Sequence, residues 1–318
     1  MKHSYWFCGC VLVSDWPLPE LHIACQDSTE NTDFLITLEL DGKNAESPKP
    51  LRWFLEQDLA SGCPWSARAQ TSEGYFLRFH EIADFEVDHG GRQIRCVWRH
   101  PETSDLMIRA ILLDHILPPV MVLHGKYVLH AAAVRTNAGV CVFAGDSGAG
   151  KSTMAAYLAA AGNDFLSDDC LLVDERDGAV LAQPSYPSIK LMADVMQFLN
   201  LRCEGKRVAE YTSKRRISAL SLGAAFPPMP LAVARLYFVT RAKRETPSIQ
   251  RLPPRAAFMK LVNHSIRLDT TDRTMLKREF QITHRVVESV PAALLSLPND
   301  LSMLPLAHSA IATDLSLM

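Results

Sequence analysis

Residues 145–152, Gly-Asp-Ser-Gly-Ala-Gly-Lys-Ser, are the part of this chain whose types and spacing could most directly do chemistry. Glycines let a backbone curl so that successive N–H groups converge on phosphate oxygens. A helix starting at the same place turns its positive end toward that anion. In such a P-loop a lysine reaches the β- and γ-phosphates and the following hydroxyl ligates Mg²⁺; here these are Lys151 and Ser152. The pattern implies a nucleoside triphosphate. Its expected contacts are Gly145, Asp146, Ser147, Gly148, Ala149, Gly150, Lys151, Ser152 and Thr153, with Ser147 adding a phosphate hydrogen bond.

Asp168 and Asp169 stand 17 and 18 residues after Lys151, at the start of the next strand-like run. Phosphoryl transfer needs metal ligands to neutralise phosphate oxygens and a group to orient the attacking hydroxyl. Two carboxylates can divide those tasks. Neighbours on a regular strand point to opposite faces, so a turn or bulge is needed to bring both to one nucleotide. Lys190 and Arg215-Arg216 are further candidates for contact with phosphate or an acidic peptide.

The elements must deliver these groups. Gly139 to Ala144 reads as a buried strand entering the loop, and Ser152 to Ala160 as the helix leaving it, stopped at Gly162-Asn163. Tyr127 to Val134 reads as a strand joined to it by a turn at 136–139. Phe165 to Asp169 leads into a strand at Cys170 to Val173, with a hairpin turn at Asp177-Gly178. Residues 184–230 read as loop-rich, Leu236 to Val239 as a late strand, and Pro254 to Asn263 and about 298–311 as helices. Earlier in the chain Phe7 to Val13, Phe34 to Leu40, Tyr75 to Phe79 and Gln93 to Trp98 are β-prone. Leu106 to Leu117 has helical periodicity and is expected to end at Pro118-Pro119. The organisation expected is a β-rich N-terminal domain over 1–115, serving substrate recognition, and an α/β domain over 116–318 carrying the loop.

The chain has 318 residues, 48% of them hydrophobic, enough for two cores, and a net charge of −2 that argues against nucleic acid as a partner. The runs Lys214-Arg215-Arg216 and Arg241-Ala242-Lys243-Arg244 read as solvated faces. Eight cysteines without CxxC spacing, Cys25 and Cys203 among them, encode neither a zinc site nor a disulfide framework; a reduced, cytoplasmic protein is the expectation. No apolar run is expected to approach the roughly 18 residues that span a bilayer, so no membrane partner is expected.

His130-Ala131-Ala132-Ala133-Val134, then the 145–152 loop, then Ser167-Asp168-Asp169 resembles the catalytic core of HPr kinase/phosphorylase. That family shares its P-loop fold with phosphoenolpyruvate carboxykinase. Its histidine lies about twenty residues before the P-loop lysine, and His130 lies 21 before Lys151. The resemblance implies an ATP- and Mg²⁺-dependent serine kinase. In it Lys151 contacts the β/γ-phosphates, Asp168 takes the proton of the attacking hydroxyl, and His130 lies beside Asp168 and tunes it. Ser152 and Asp169 hold the metal. It also implies a protein or precursor-peptide serine as acceptor, HPr-like or otherwise, and a homo-oligomer.

The match is firm over about residues 120–175. Thr153 stands where the family usually carries Glu, and the later glycine- and arginine-containing signature is absent, which leaves the reverse, phosphorolytic reaction open. The opening Phe7-Cys8-Gly9 … Ser14-Asp15-Trp16-Pro17-Leu18-Pro19-Glu20-Leu21 is similar to HPr-kinase-like proteins of bacterial peptide-biosynthesis clusters, including lasso-peptide clusters. Rival readings are a small-molecule kinase acting on free serine and a nucleotide-binding regulator that transfers nothing. A transport or motor ATPase ranks last, because Phe165-Leu166-Ser167 is short for the strand before its acid.

Overall fold

The computed structural model describes residues 2–24, the backbone of 35–41, and 49–59, 62–100, 102–209, 211–243 and 245–317. Cys25, Phe34, Gly42, Pro48 and Arg244 lie outside the described residues. Two compact units emerge: Met1–Lys126 with Arg267–Leu276, and Tyr127–Ile266 with Lys277–Met318.

Among the described residues the first unit is built on nine strands: β1 His3–Phe7, β2 Cys10–Ser14, β3 His22–Ile23, β4 Leu35–Asp41, β5 Arg52–Asp58, β6 Pro64–Gln70, β7 Gly74–Phe79, β8 Ala83–Asp88 and β9 Gln93–Trp98. They form one sheet in the order β3-β1-β2-β4-β9-β8-β7-β6-β5. The apolar run Phe7 to Val13 is not one strand. Cys8 (φ 52°) and Gly9 (φ 78°) both take the left-handed conformation, and β1 and β2 pair antiparallel across them. That is the two-residue hairpin loop whose twist suits the strands it joins.

A continuous helical segment follows: α1 Asp105–Ile111, a π-helical turn at Leu112–Ile116, and α2 Leu117–Leu123. The expected stop at Pro118-Pro119 does not occur. These prolines sit in the first turn of α2, where no N–H is required, and the wider turn before them leaves room for their rings. The segment Asp105–Leu123 is also long and apolar enough, at a mean hydropathy of 1.8, to meet the length and composition of a membrane span. This corrects the expectation that no such run exists. Most of it is buried, and His115 lies 5.6 Å from Phe79, ring to ring, against the sheet.

The second unit is mixed α/β. Its main sheet runs β10-β14-β15-β19-β12-β11-β13, with β21 also paired to β19 and β20 to β21. The strands are β10 Tyr127–Leu129, β11 Ala131–Thr136, β12 Gly139–Ala144, β13 Asp164–Ser167, β14 Leu171–Arg176, β15 Ala179–Gln183, β19 Leu231–Arg241, β20 Ser248–Leu252 and β21 Ala292–Leu297. Side chains alternate across this sheet. Ala132, Val134, Cys141, Phe143, Tyr237 and Val239 enter one core with α3 (Lys151–Ala160) and α7 (Leu304–Ser316). Ala131, Ala133, Val140, Val142, Leu236 and Phe238 enter another with α5 (Pro254–His264) and α6 (Arg273–Ser289). Helices therefore cover both faces, which is why β12 and β19 read as continuous apolar runs.

One sequence expectation changes here and another gains detail. Tyr127 to Val134 is divided at His130 into β10, which pairs with β14, and β11, which pairs with β12 and β13. Residues 184–230 are loop-rich as expected, yet they also hold short regular elements. They contain β16 Ser188–Leu191, α4 Ala193–Phe198, β17 Lys206–Arg207 and β18 Arg215–Ser218, the strands forming a three-stranded sheet. Its Ile189, Leu191 and Ile217 pack into the α3 core. Prolines and charges hid these short strands from a periodicity reading.

Candidate functional site

The 145–150 loop joins β12 to α3, with Gly145, Gly148 and Gly150 at φ of 153°, 79° and 108°. At Gly145 the need for glycine is steric, because a Cβ there would lie 2.4 Å from the Val239 carbonyl oxygen. Close approach of the loop to β19 thus depends on the missing side chain. Lys151 opens α3 and folds back over the loop, its Nζ donating to the carbonyls of Gly145 (2.8 Å) and Asp146 (3.1 Å). Burial lowers its pKa, as does Lys214, against the pull of Asp169, Asp168 and Asp146. Asp146, Ser147 and Gly148 line the exposed rim, Ala149 is buried, and Thr153 is half-buried one position beyond Ser152.

The Ser152 hydroxyl donates to Asp168 Oδ1 at 2.7 Å, and the Lys190 backbone N–H donates to Asp168 Oδ2 at 3.0 Å. Asp168 is buried, and burial first, then the neighbouring Asp169 charge, pushes its pKa up to about 6. Asp169 escapes strand alternation by adopting φ 65° in the break between β13 and β14. The Cys170 N–H bonds the Asp168 carbonyl, and the Ser167 hydroxyl bonds the Cys170 carbonyl, so the break is pinned on both sides. This is the turn that adjacent acids require in order to serve one site.

Asp169 Oδ2 lies 2.7 Å from Lys190 Nζ, and its Oδ1 lies 3.7 Å from His130 Nε2. Burial works to raise this carboxyl, but the Lys190 ammonium and His130 outweigh it and hold the group well below the usual carboxylate range. His130 stands between β10 and β11, its N–H donating to the His264 carbonyl. Burial lowers its pKa to about 4, aided by Lys151 and Lys190 against Asp169. A neutral imidazole beside a fixed carboxylate is the state at pH 7.

His130, Lys151, Ser152, Asp168 and Asp169, each singled out from sequence, therefore converge. One pairing differs from expectation: His130 meets Asp169 rather than Asp168. Lys190 is part of the constellation, placed by β16. Arg241, at the end of β19, donates to the Gly148 carbonyl (3.4 Å) and the Pro298 carbonyl (2.7 Å), bracing the loop from behind. In the sequence it belongs to a basic run that reads as a solvated face. His264 has no local sequence signal; the end of α5 delivers it, and burial lowers its pKa, opposed by Asp146 and aided by Lys151 and Lys260.

No family model and no curated protein matches the chain. Among solved structures, the HPr(Ser) kinase/phosphatase from Coxiella burnetii is similar at a TM-score of 0.32 and 10% identity, over 59% of this chain and 95% of that one. A likeness that distant carries no argument about chemistry, which rests on the geometry above.

Proposed function

We propose that this chain is an ATP- and Mg²⁺-dependent phosphotransferase that transfers a γ-phosphate to a serine hydroxyl of a protein or peptide. One observation carries the reading. A glycine-rich strand-to-helix loop and its lysine face two adjacent carboxylates in different electrostatic states, one bonded to Ser152 and the other set between Lys190 and His130. Among the described residues no three His, Cys, Asp or Glu side chains gather as a metal cage. That donor set suits Mg²⁺, which takes one or two carboxylates and completes its shell with substrate phosphates and water. Ser152 gives its hydrogen to Asp168, which leaves the oxygen's lone pairs for the cation. When bound, the ion would neutralise phosphate oxygens. Cys63, Cys96, Cys141, Cys170 and Cys203 are free thiols, in keeping with a cytoplasmic site of action.

The roles follow from access before acidity. Asp168 is almost wholly buried with both oxygens accepting hydrogen bonds, so it would hold the cation side with Ser152. Asp169 is the more exposed carboxylate, and it accepts and orients the acceptor hydroxyl while neutral His130 steadies it. Lys151 and Lys190 offset charge on the transferring group. A second reading keeps Asp168 as the proton acceptor, because a pKa near 6 suits a base at neutral pH.

Transfer from labelled ATP with Mg²⁺ into serine-bearing peptides, HPr and free serine tests the proposal. Wild type labels one acceptor class, and Asp168→Asn and Asp169→Asn each lose at least about a hundredfold in rate. A raised Mg²⁺ requirement in Asp168→Asn, with kcat alone reduced in Asp169→Asn, supports the first assignment; the reverse supports the second. ATP binding without transfer to any acceptor, unchanged in both variants, makes the chain a regulator instead.

A further inference from the structure

The small sheet beside the site carries Lys190, Lys206, Arg207, Arg215 and Arg216, and no carboxylate stands on any of its three strands. Its register places Lys190 opposite Arg216 and Arg216 opposite Lys206. Residues directly opposite on neighbouring strands share a face, so these three cations form a row. Leu191, Arg215 and Arg207 form the parallel row on the other face. Like charges set opposite one another destabilise a sheet, and here the arrangement is repeated across both strand pairs.

The row has a direction. Lys190 is buried and touches Asp169, Arg216 is buried with its guanidinium 5.9 Å from the Tyr186 ring centroid, and Lys206 is exposed. Lys214, just before β18, bears on both Lys151 and Asp169 electrostatically. Where β16 ends, Met192 is 42% exposed and its sulfur accepts from Ser213, while Tyr211 is 41% exposed. Phosphates of a nucleotide explain cations at Lys151 and Lys190. They do not explain a cationic row that continues two strands outward to solvent beside exposed apolar side chains.

We propose that this row is the acceptor-binding surface, and that the acceptor is an acidic peptide segment with a carboxylate about three residues from its phosphorylated serine. Strands are about 4.8 Å apart, so Lys190 and Lys206 stand about 10 Å apart along the row. An extended peptide covers that distance in about three residues. Serine at Asp169 then brings an Asp or Glu side chain to Arg216 and Lys206. This assignment rests on the phosphotransferase reading and names its substrate class.

Fluorescein-labelled serine peptides with Asp or Glu three positions either side of the serine, or Asn and Gln at the same places, test it on the full chain. Binding is read by anisotropy with a non-hydrolysable ATP analogue and Mg²⁺, and phosphate transfer is measured in parallel. The acidic peptides bind about tenfold tighter, less so as salt rises. Lys206→Glu removes most of that preference, Lys206→Arg retains it, and analogue affinity stays the same in both. Equal binding of acidic and neutral peptides overturns the inference. So does an oligonucleotide of equal charge that binds as tightly and displaces the peptide. Charge-selective, Lys206-dependent binding without transfer keeps this surface and overturns the kinase; transfer indifferent to peptide charge does the opposite.

Discussion

Asp168 and Asp169 are chemically identical neighbours whose surroundings pull their acidities apart. Folded Asp168 keeps its proton to about pH 6, whereas an unfolded aspartate releases it near 3.8. Between those values the folded chain binds more protons than the unfolded one, so stability falls as pH rises through the window. Above it, ionised Asp168 costs roughly 3 kcal/mol. Asp168→Asn is therefore expected to melt higher than wild type at neutral pH without nucleotide and to lose that slope, which denaturation across the window measures. Phosphate transfer by wild type should meanwhile rise with pH through about 6, as Asp168 ionises; a flat rate profile there contradicts the assigned state. The pair itself was legible in the sequence as adjacent acids. Their division of labour was not, because it depends on Lys190 and His130, brought from β16 and from the gap before β11.

At the scale of elements, β12, the glycine loop and α3 are the part most readable in advance, since apolar run, turn and alanine-rich helix follow within one stretch. Gly145 and Gly148 separate two reasons for glycine. Gly145→Ala sets a Cβ against the Val239 carbonyl, so the loop must move off β19; nucleotide binding should be lost, with a stability cost on the order of 3 kcal/mol. Gly148→Ala meets open space and should cost only about 1 kcal/mol, the penalty of the left-handed backbone. Thermal denaturation and titration with a fluorescent ATP analogue check both, and equal effects at the two positions count against this account. Where expectations failed, non-local pairing or geometry was responsible. The strand from Tyr127 divides at His130 because its halves pair with β14 and with β12 and β13, and the helix continues past Pro118 because a π-helical turn makes room for it.

For the molecule as a whole, the chain's order is not its spatial order. Residues 267–276 belong with the N-terminal unit, where Arg52 bonds Asp269 and Arg68 donates to the Arg267 carbonyl. Asp269 is buried and also accepts from the Thr271 N–H and hydroxyl. Asp269→Ala should weaken hydrogen-exchange protection in β5 and β6, both far away in sequence, while β12 and β19 keep theirs. In the second unit, Asp314 of α7 accepts from Arg235 and Tyr237 of β19, all buried. Asp314→Ala leaves a buried guanidinium unpaired and should cost about 3 to 5 kcal/mol in urea denaturation. Arg235→Met combined with Asp314→Leu should recover most of it; failure to recover would mean that the ion pair does more than satisfy itself.

The sequence by itself determined the nucleotide loop, its flanking strand and helix, and the presence of a histidine and two acids at plausible distances, because each is written in contiguous residues. Tertiary structure alone decided which acid meets Ser152, that Lys190, already a candidate in the sequence, reaches Asp169, that Arg241 and His264 join the site, and that residues 267–276 return to the first unit. Those outcomes follow from β-pairing and burial between segments far apart in the chain, and local composition carries no record of which distant partner a side chain will meet.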